Sequence, residues 1–184
     1  AADSGYKFVI IFAGLTDALR KQTQIRIQND ITNRTKERWY WLTDENNDYG
    51  SSPQSLPRLE TNVTKICVVK KNVAILDYLL TKIEELTDSR ILDMYSGVGS
   101  FGIECISHEA KKVTFVEKDP MAQNILTRNL KSLGIEKKSL IFKRDIKSFF
   151  STKIENKFDI FFLDPPFADI NYLHNLKMVV EYLE

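Results

Sequence analysis

The sequence predicts an α/β protein in which a mostly parallel sheet is covered by helices on both faces. Three observations lead to this prediction. From residue 90 onward, short apolar runs alternate with helical segments; a glycine-rich turn, GVGSFG (97–102), joins one strand to the next helix; and an acidic residue ends each of four successive strands. Apolar strands that alternate with helices are typical of parallel sheets buried on both faces. With 184 residues, 43% of them hydrophobic, the chain is long enough to bury such a core.

The first 60 residues are predicted to form an amino-terminal extension of unknown role. Its apolar run FVIIFAGL (8–15) predicts a buried strand or helix. Between residues 24 and 28, Ile25 and Ile27 alternate with polar residues, which predicts a half-buried strand. Asn, Asp, Gly, Ser and Pro cluster over 44–58 and indicate a loop or linker.

Residues 61–184 are predicted to form the main domain, in which helices and strands alternate regularly. Apolar residues recur on one face of its first helix, 72–86. Pro120 suits the first turn of a later helix, and Gly134 suits its end. In chain order, the sequence predicts helix 72–86, strand 90–95, helix 102–110, strand 112–119, helix 120–134, strand 139–145, helix 146–153, strand 157–164 and helix 170–184.

Composition excludes several classes of protein. The formal net charge of +1 does not by itself indicate a nucleic-acid-binding protein. Cys67 and Cys105 form neither a CxxC pair nor a metal-ligand spacing, so we expect a reducing compartment, no disulfide and no metal site. The sequence lacks the apolar run of about 18 residues that a membrane helix needs, so no membrane contact is expected. We therefore expect a cytoplasmic protein, or one of an organelle matrix if the source is eukaryotic.

The glycine-rich turn predicts a ligand site at the carboxyl ends of the strands. Gly97, Gly99 and Gly102 form a GxGxxG pattern, which lets the backbone turn sharply and brings a ligand to a helix amino terminus. An ordinary strand-to-helix turn would show the same pattern. Glu117, at the end of the next strand, could accept both hydroxyl groups of a ribose. A dehydrogenase fingerprint would also fit, although its acid usually lies about 20 residues after the last glycine.

Four acidic residues are expected along one edge of the sheet. Asp93 precedes the glycine turn and suits a ligand with an ammonium group, while Asp145 could accept a hydrogen bond from an adenine amine. Each acid alone is more often a solvated strand end. Together, however, they mark the edge where open α/β sheets bind ligands. The four are Asp93, Glu117, Asp145 and Asp164.

The stretch FLDPPF (162–167) predicts a socket for a planar base with an exocyclic amine. Pro165 and Pro166 fix the backbone and lack N–H groups, so the carbonyl groups of this turn face the site without competing donors. Asp164 and the Pro165 carbonyl would each accept one N–H of the amine, and Phe167 would stack on the ring. A proline-terminated strand with a buried cap is the structural alternative.

Residues 90–167, which include LDMYSGVGSFGIE, VEKD, RDI and DPPF, resemble the class I S-adenosylmethionine-dependent methyltransferases. Within that class, they are most similar to the bacterial small-subunit rRNA guanine-N2 methyltransferases. The resemblance implies a Rossmann-like fold, S-adenosylmethionine as cofactor, and methyl transfer to guanine N2 of small-subunit rRNA. The implied catalytic residues are Asp164, Pro165, Pro166 and Phe167; the implied cofactor-binding residues are Asp93, Tyr95, Ser96, Gly97, Gly99, Gly102, Glu117, Lys118, Asp145 and Ile146.

The sequence departs from this family in two respects. The usual Arg-Pro-Thr motif before the first helix is absent, so the mode of RNA binding is expected to differ from that of the family. The strands that follow DPPF in the family are also missing, so 61–184 is incomplete relative to the family. Either the chain is a fragment, or something else, such as a protein partner, covers the open edge of the strand before Asp164, because a bare apolar edge favours aggregation.

RNA binding requires local positive charge, and two other functions remain open. Residues 111–157 hold 12 Lys and Arg against 5 Asp and Glu, which fits either an RNA surface or an ordinary solvated one. The aromatic run WYW (39–41) could stack on unpaired bases or anchor the extension. Because DPPF serves adenine N6 equally well, an adenine-N6 methyltransferase acting on DNA or RNA is one alternative. A methyltransferase-like assembly or structural factor of a ribonucleoprotein is the other.

Overall fold

The computed structural model describes residues 7–34, 39–48, 63–71, 86–152, 157–166 and 171–183. Within these ranges the chain forms a seven-stranded sheet in which every neighbouring pair of strands is parallel. The predicted α/β class with a Rossmann-like sheet is therefore confirmed. The strands are β1 (Lys7–Phe12), β2 (Trp39–Trp41), β3 (Thr64–Val69), β4 (Arg90–Met94), β5 (Lys112–Val116), β6 (Ser139–Phe142) and β7 (Ile160–Leu163).

Helices cover both faces of this sheet. The strand order is β2-β3-β1-β7-β4-β5-β6, so the direction of winding reverses between β4 and β7. Apolar side chains from α2 and α3 pack on one face, and those from α1, α4 and α5 pack on the other. The helices are α1 (Asp17–Asp30), α2 (Ser100–Ser107), α3 (Pro120–Ser132), α4 (Ile146–Phe150) and α5 (Tyr172–Leu183).

Strand β1 shows why the apolar runs of this chain become interior strands. Successive side chains of a strand point to opposite faces, so a strand covered on both faces needs apolar residues throughout. Phe8 and Ile10 contribute to one core cluster, while Val9 and Ile11 contribute to the other. All four side chains are buried.

The outer edge of β7 is paired with the chain's own β1. Phe8 lies opposite Ile160, and Ile11 lies opposite Leu163. The expectation that a protein partner covers this edge is therefore wrong, because the backbone groups of β7 on this side already bond to β1. Strands from both sides of residue 60, where the sequence predicted a division, belong to one sheet.

The predicted strand at residues 24–28 is also wrong, because these residues lie within α1. Thr16 caps this helix by accepting a hydrogen bond from the Leu19 N–H. The buried face of the helix carries Arg20, Gln24 and Ile27, whose spacing of four and three residues is helical. Two of these buried positions are polar, which concealed the helical period from a reading based on apolar residues.

The predicted helices and strands of the carboxyl-terminal half match the structure in kind and order. Each predicted strand extends past the observed one: β5 ends at Val116 rather than 119, and β6 ends at Phe142 rather than 145. The residues beyond these strands form loops at the carboxyl edge of the sheet. Apart from Leu86, the predicted helix 72–86 lies outside the described residues.

The amino-terminal aromatic run forms strand β2, which pairs with β3 at one side of the sheet. Its three residues are half-buried, and Trp39 and Trp41 pack against a core cluster. The described contacts therefore match the prediction that this run anchors the amino-terminal segment. Within the described ranges, no helix combines the length and the hydropathy that crossing a membrane requires.

Candidate functional site

A cleft of about 1180 Å³ opens at the carboxyl edge of the sheet. It lies where the winding reverses between β4 and β7, which is the usual ligand position in open α/β sheets. Strands β1, β4, β5 and β7 all end at this cleft. Its lining includes Phe12, Leu15, Lys71, Asp93, Tyr95, Ser96, Gly97, Glu117, Lys118, Asp145, Ile146, Asp164, Pro166, His174 and Asn175.

The glycine-rich turn between β4 and α2 contains three residues with left-handed backbone. Tyr95, Gly97 and Gly99 have φ values of 60°, 54° and 89°. Glycine adopts this conformation without the steric cost that other residues pay. Tyr95 is held there by a 2.6 Å hydrogen bond that its hydroxyl group accepts from Asn175 Nδ2. The carboxyl-terminal helix α5 thus supports the turn.

Gly102 allows α2 to approach the sheet closely. A Cβ atom at this position would lie 2.3 Å from Phe115 Cε1 and 2.8 Å from Val113 Cγ1. The Gly102 N–H also donates a 3.1 Å hydrogen bond to Asp93 Oδ2. Gly99 and Gly102 are not among the residues that line the cleft, and their predicted contacts to a cofactor stay predictions.

Asp93 is a buried acid at the floor of the cleft. Its side chain is almost fully shielded from solvent, and burial raises its pKa well above the ordinary 3.8. The Gly102 N–H opposes this rise, while the nearby charges of Asp164 and Glu117 add to it. A cationic ligand group beside Asp93 would counteract the burial and the nearby negative charges, because an opposite charge favours the ionised form of the carboxyl group.

Glu117 is oriented by two backbone N–H groups. Gly97 donates to its Oε2 at 2.7 Å, and Asp119 donates to its Oε1 at 2.8 Å. Because a carboxylate has about four acceptor positions, each oxygen retains one for a ligand hydroxyl group. The carboxylate of Glu117 is therefore fixed in place while still facing the cleft.

Asp145 and Ile146 reach the cleft at the start of α4. The carboxylate of Asp145 caps this helix, accepting hydrogen bonds from Ser148 N and Ser148 Oγ at 2.8 and 3.1 Å. The Ser148 hydrogen bonds hold the pKa of Asp145 below its ordinary value. Its main contacts in the described residues are thus within α4, and the predicted contact to an adenine amine stays a prediction.

Asp164 enters the cleft directly after β7. Since Met94 lies opposite Leu163 in the sheet, Asp164 emerges beside the start of the glycine turn. Its side chain is 22% exposed, and its Oδ2 lies 2.6 Å from Lys71 Nζ. The sequence therefore placed Asp164 at the correct edge but did not predict its cationic partner.

The remainder of the DPPF turn is described only in part. Pro166 lines the cleft, as does Asp164 on the other side of Pro165, and the predicted contact of the Pro165 carbonyl to the amine stays a prediction. Phe167, predicted to stack on the base, lies outside the described residues. The phenyl and phenol rings that line the cleft belong to Phe12, Tyr95, Phe101 and Phe162. The rings of Phe101 and Phe162 are stacked, with 3.5 Å between their centroids.

The structure shows two further polar groups in the cleft: the hydroxyl group of Ser96 and the ammonium group of Lys71. Ser96 Oγ is buried and has no hydrogen-bond partner among the described residues. Buried hydroxyl groups are nearly always hydrogen-bonded, so this atom suits a bound ligand. Lys71 follows the carboxyl end of β3 and lines the cleft at the same edge of the sheet. Within the described ranges, no group of three His, Cys, Asp or Glu side chains is arranged to hold a metal ion.

Comparison with known proteins supports the resemblance. The ribosomal RNA small subunit methyltransferase D of Haemophilus influenzae is 40% identical over 81 residues, which cover 43% of this chain and 42% of that protein. The protein of the same name from Buchnera aphidicola is 35% identical over 101 residues, covering 51% of this chain and 52% of that protein. The chain thus spans about half the length of the curated relatives it matches.

A solved structure shares the fold. The yhhF protein of Escherichia coli superposes with a TM-score of 0.54 and 24% identity, covering 59% of this chain and 60% of that one. The model of one protein family, described as conserved hypothetical protein 95, matches residues 60–184. These matches confirm the resemblance to small-subunit rRNA methyltransferases, and the chain belongs to the conserved hypothetical protein 95 family.

Proposed function

We propose that this chain is an S-adenosylmethionine-dependent methyltransferase that modifies guanine N2 of small-subunit rRNA. The observation that carries the proposal is the meeting of Asp164 with Asp93 and Glu117 in one cleft beside the Gly97 turn. The cleft exceeds the roughly 300–1,000 Å³ of most small-molecule pockets, which leaves room for a base next to a cofactor. The curated relatives named as ribosomal RNA small subunit methyltransferases support methyl transfer to rRNA.

The cleft residues fit the parts of S-adenosylmethionine. The buried carboxylate of Asp93 suits its ammonium group, and the fixed carboxylate of Glu117 suits its ribose hydroxyl groups. Ser96 Oγ has an unused hydrogen-bonding capacity in the same place. When bound, the cofactor supplies an electrophilic methyl group on a sulfonium. The protein contributes binding and orientation.

Asp164 is proposed to orient the amine that receives the methyl group. Its carboxylate would accept one N–H of guanine N2, and the backbone carbonyl of Pro165 would accept the other. Holding both hydrogens directs the nitrogen lone pair at the methyl group, and such positioning can lower a barrier by about 7–11 kcal/mol in well-oriented systems. Phe167 would stack on the base, which contributes about 1–3 kcal/mol per base in related systems.

The proposed substrate is RNA, and the proposed location is the cytoplasm, where bacterial small subunits assemble. The basic residues of 111–157 supply candidate phosphate contacts, and Lys118, Arg144 and Lys147 lie at the cleft itself. A guanine within folded rRNA must leave its stack to reach the cleft, at a cost of a few kcal/mol. The stacking and amine contacts described above would offset this cost.

The test is methylation of small ribosomal subunits assembled from an unmodified rRNA transcript. The purified chain, labelled S-adenosylmethionine and these subunits are incubated, and the nucleosides are then identified by mass spectrometry. We expect N2-methylguanosine at one nucleotide. N6-methyladenosine would instead show the adenine-N6 alternative. No methylation, together with no calorimetric heat for S-adenosylmethionine at millimolar concentration, would favour the assembly factor.

A further inference from the structure

Among the described residues, Lys71 is the cation that pairs with the proposed base-binding carboxylate of Asp164, and the proposed catalytic roles do not include it. Its Nζ lies 2.6 Å from Asp164 Oδ2, although 93 residues separate the two in sequence. Its side chain is 55% exposed and lines the cleft. An ammonium group has three N–H donors, and among the described residues only Asp164 takes one of them. Two donors therefore remain for a ligand in the cleft that Lys71 lines.

The fold holds Lys71 in this place. Its backbone N–H donates a 2.7 Å hydrogen bond to the Gly14 carbonyl, which ties the end of β3 to the loop after β1. The neighbouring Lys70 is anchored away from the cleft by ion pairs of 3.1 Å to Asp17 and 3.7 Å to Asp48. The adjacent lysines therefore have different partners: Lys70 joins the start of α1 to Asp48, and Lys71 presents its ammonium group to Asp164.

We propose that Lys71 and Asp164 together select guanine by contacting its Watson–Crick edge, with Lys71 donating to O6. This inference rests on the function proposed above. The edge presents an acceptor, O6, followed by two donors, N1–H and N2–H. If one oxygen of Asp164 accepts from N2–H, the other faces N1–H. A donor bound to that second oxygen then lies next to O6, and this is the position of Lys71.

The same pair of groups disfavours adenine. Adenine has no O6, and its N1 is an acceptor, which would face a carboxylate oxygen when the neighbouring amine binds Asp164. A buried or half-buried polar group left without its partner costs more than the hydrogen bond contributes when formed. The Lys71–Asp164 pair thus gives a physical reason for selecting guanine over adenine. The DPPF sequence alone does not distinguish the two bases.

The experiment compares guanine with 2-aminopurine at the methylated nucleotide. 2-Aminopurine retains the amine at C2 but lacks both O6 and N1–H. First, the subunit assay above identifies the nucleotide methylated by the unaltered protein. An RNA carrying either base at that nucleotide is then made by ligation, assembled into subunits, and methylated by the unaltered chain, Lys71→Met, Lys71→Arg and the matched control Lys70→Met.

We expect Lys71→Met to lower kcat/KM for guanine about tenfold or more, since a good contact to a base edge changes discrimination by that order. The same variant should change kcat/KM for 2-aminopurine less than threefold. Lys71→Arg should restore most of the guanine activity, and Lys70→Met should affect both bases alike. Calorimetry with S-adenosylmethionine and thermal unfolding check that each variant is folded.

Equal losses on the two bases would show that Lys71 only orients Asp164, and unchanged guanine activity would show that the ion pair has no part in recognition. Either result overturns this inference while the proposed function stands. A different result, no guanine methylation by the unaltered protein, overturns the proposed function itself and this inference with it.

Discussion

Asp93 links the stability of this protein to ligand binding at the level of one residue. Its carboxylate is buried, and its pKa is raised chiefly by that burial. The cost of ionising it in the unliganded protein is offset when a cationic ligand binds. Residues with such raised pKa values in clefts are often functional for this reason.

Asp93→Asn should therefore stabilise the unliganded protein at pH 8 and weaken S-adenosylmethionine binding. The amide oxygen of Asn can still accept from the Gly102 N–H, so this hydrogen bond is kept while the negative charge is removed. Because the folded protein holds the Asp93 proton more tightly than the unfolded chain, wild-type stability falls as pH rises from 3.8 through the raised pKa. The stability of the variant should not show this decrease with rising pH, because Asn does not ionise.

Thermal unfolding at several pH values measures the effect. The unfolding midpoint of the variant should exceed that of the wild type by an amount that grows with pH, at about 2–4 °C per kcal/mol for a chain of this size. Calorimetry should show at least a tenfold lower cofactor affinity. A variant less stable than the wild type at pH 8 would contradict the assigned burial cost.

Asp164→Ala should abolish methyl transfer while leaving S-adenosylmethionine affinity within a few-fold. Asp164 is proposed to contact the amine, whereas the proposed cofactor contacts come from the glycine turn and Glu117, which line the same cleft. Activity on ribosomal subunits and calorimetry are measured side by side, with the exposed Glu181→Ala as a control for loss of a carboxylate. A large fall in cofactor affinity would show that Asp164 has a different role.

The site residues differed in how far the sequence could reveal them. Asp93, Glu117 and Asp164 were predictable because each ends an apolar strand, and parallel strands bring their ends to one edge. Lys71 was not, since its contact to Asp164 depends on β3 lying two strands from β7. Ser96 was included through the family resemblance, but its lack of a partner is visible only in the structure.

At the scale of single elements, α2 depends on close contact with β5. Gly102 lies over Phe115, and a Cβ atom at this position would come within 2.8 Å of two atoms of that ring. Extra atoms in a close-packed interior force neighbouring groups to move. The helix carries the N–H that contacts Asp93, so a shift of α2 also changes the cleft.

Gly102→Ala should lower the free energy of unfolding by about 1–3 kcal/mol, the usual cost of overpacking a core. It should also weaken S-adenosylmethionine binding, because α2 must move away from Phe115. Gly134→Ala is the control: it has a φ of +67° but nothing within 4 Å of its added Cβ. Backbone strain should destabilise this control without changing cofactor affinity.

Urea unfolding and calorimetry separate the two glycine variants. A Gly102→Ala protein with wild-type stability and affinity would show that the interface between α2 and β5 has more room than the structure indicates. Equal effects of both substitutions on cofactor binding would show that the affinity change reflects general destabilisation.

Elements were predictable where apolar residues alone mark the buried face. Helix α3 comes close to this condition: Asp119 and Pro120 mark its start, and Leu126 and Leu130 are buried at a spacing of four, with one polar residue, Gln123, beside them. Helix α1 does not, because Arg20 is fully buried and bonds to the carbonyl oxygens of Asp44 and Glu45. Arg20 can be buried because its hydrogen-bond partners come from a distant part of the chain. The apolar residues alone therefore do not show the helical periodicity of α1.

At the scale of the whole molecule, the sheet joins segments that are far apart in sequence. β1 lies between β3 and β7, and the Phe8 N–H donates to the carbonyl oxygen of Asp159. The sequence could not predict this pairing, because residues 8–12 of β1 and all four residues of β7 are apolar. Strands buried on both faces lack the alternation that would indicate their neighbours or register. A division at residue 60 was predicted because regular alternation of helices and strands begins after it. That alternation does not predict the order of the strands in the sheet.

A fragment of residues 63–184 should therefore fail to form a stable, soluble fold. Without β1, the backbone groups of β7 and β3 that now face it have no partner, and the apolar edge of β7 is open to other chains.

Ile10→Ala in the full chain should weaken the same junction by about 2–5 kcal/mol, since Ile10 is fully buried between Cys67 and Phe162. Gel filtration and urea unfolding measure both effects, with the exposed Leu15→Ala as a control for apolar loss in this segment. A monomeric fragment that unfolds cooperatively and binds S-adenosylmethionine would show that the amino-terminal strands are dispensable and that the domain begins near residue 60.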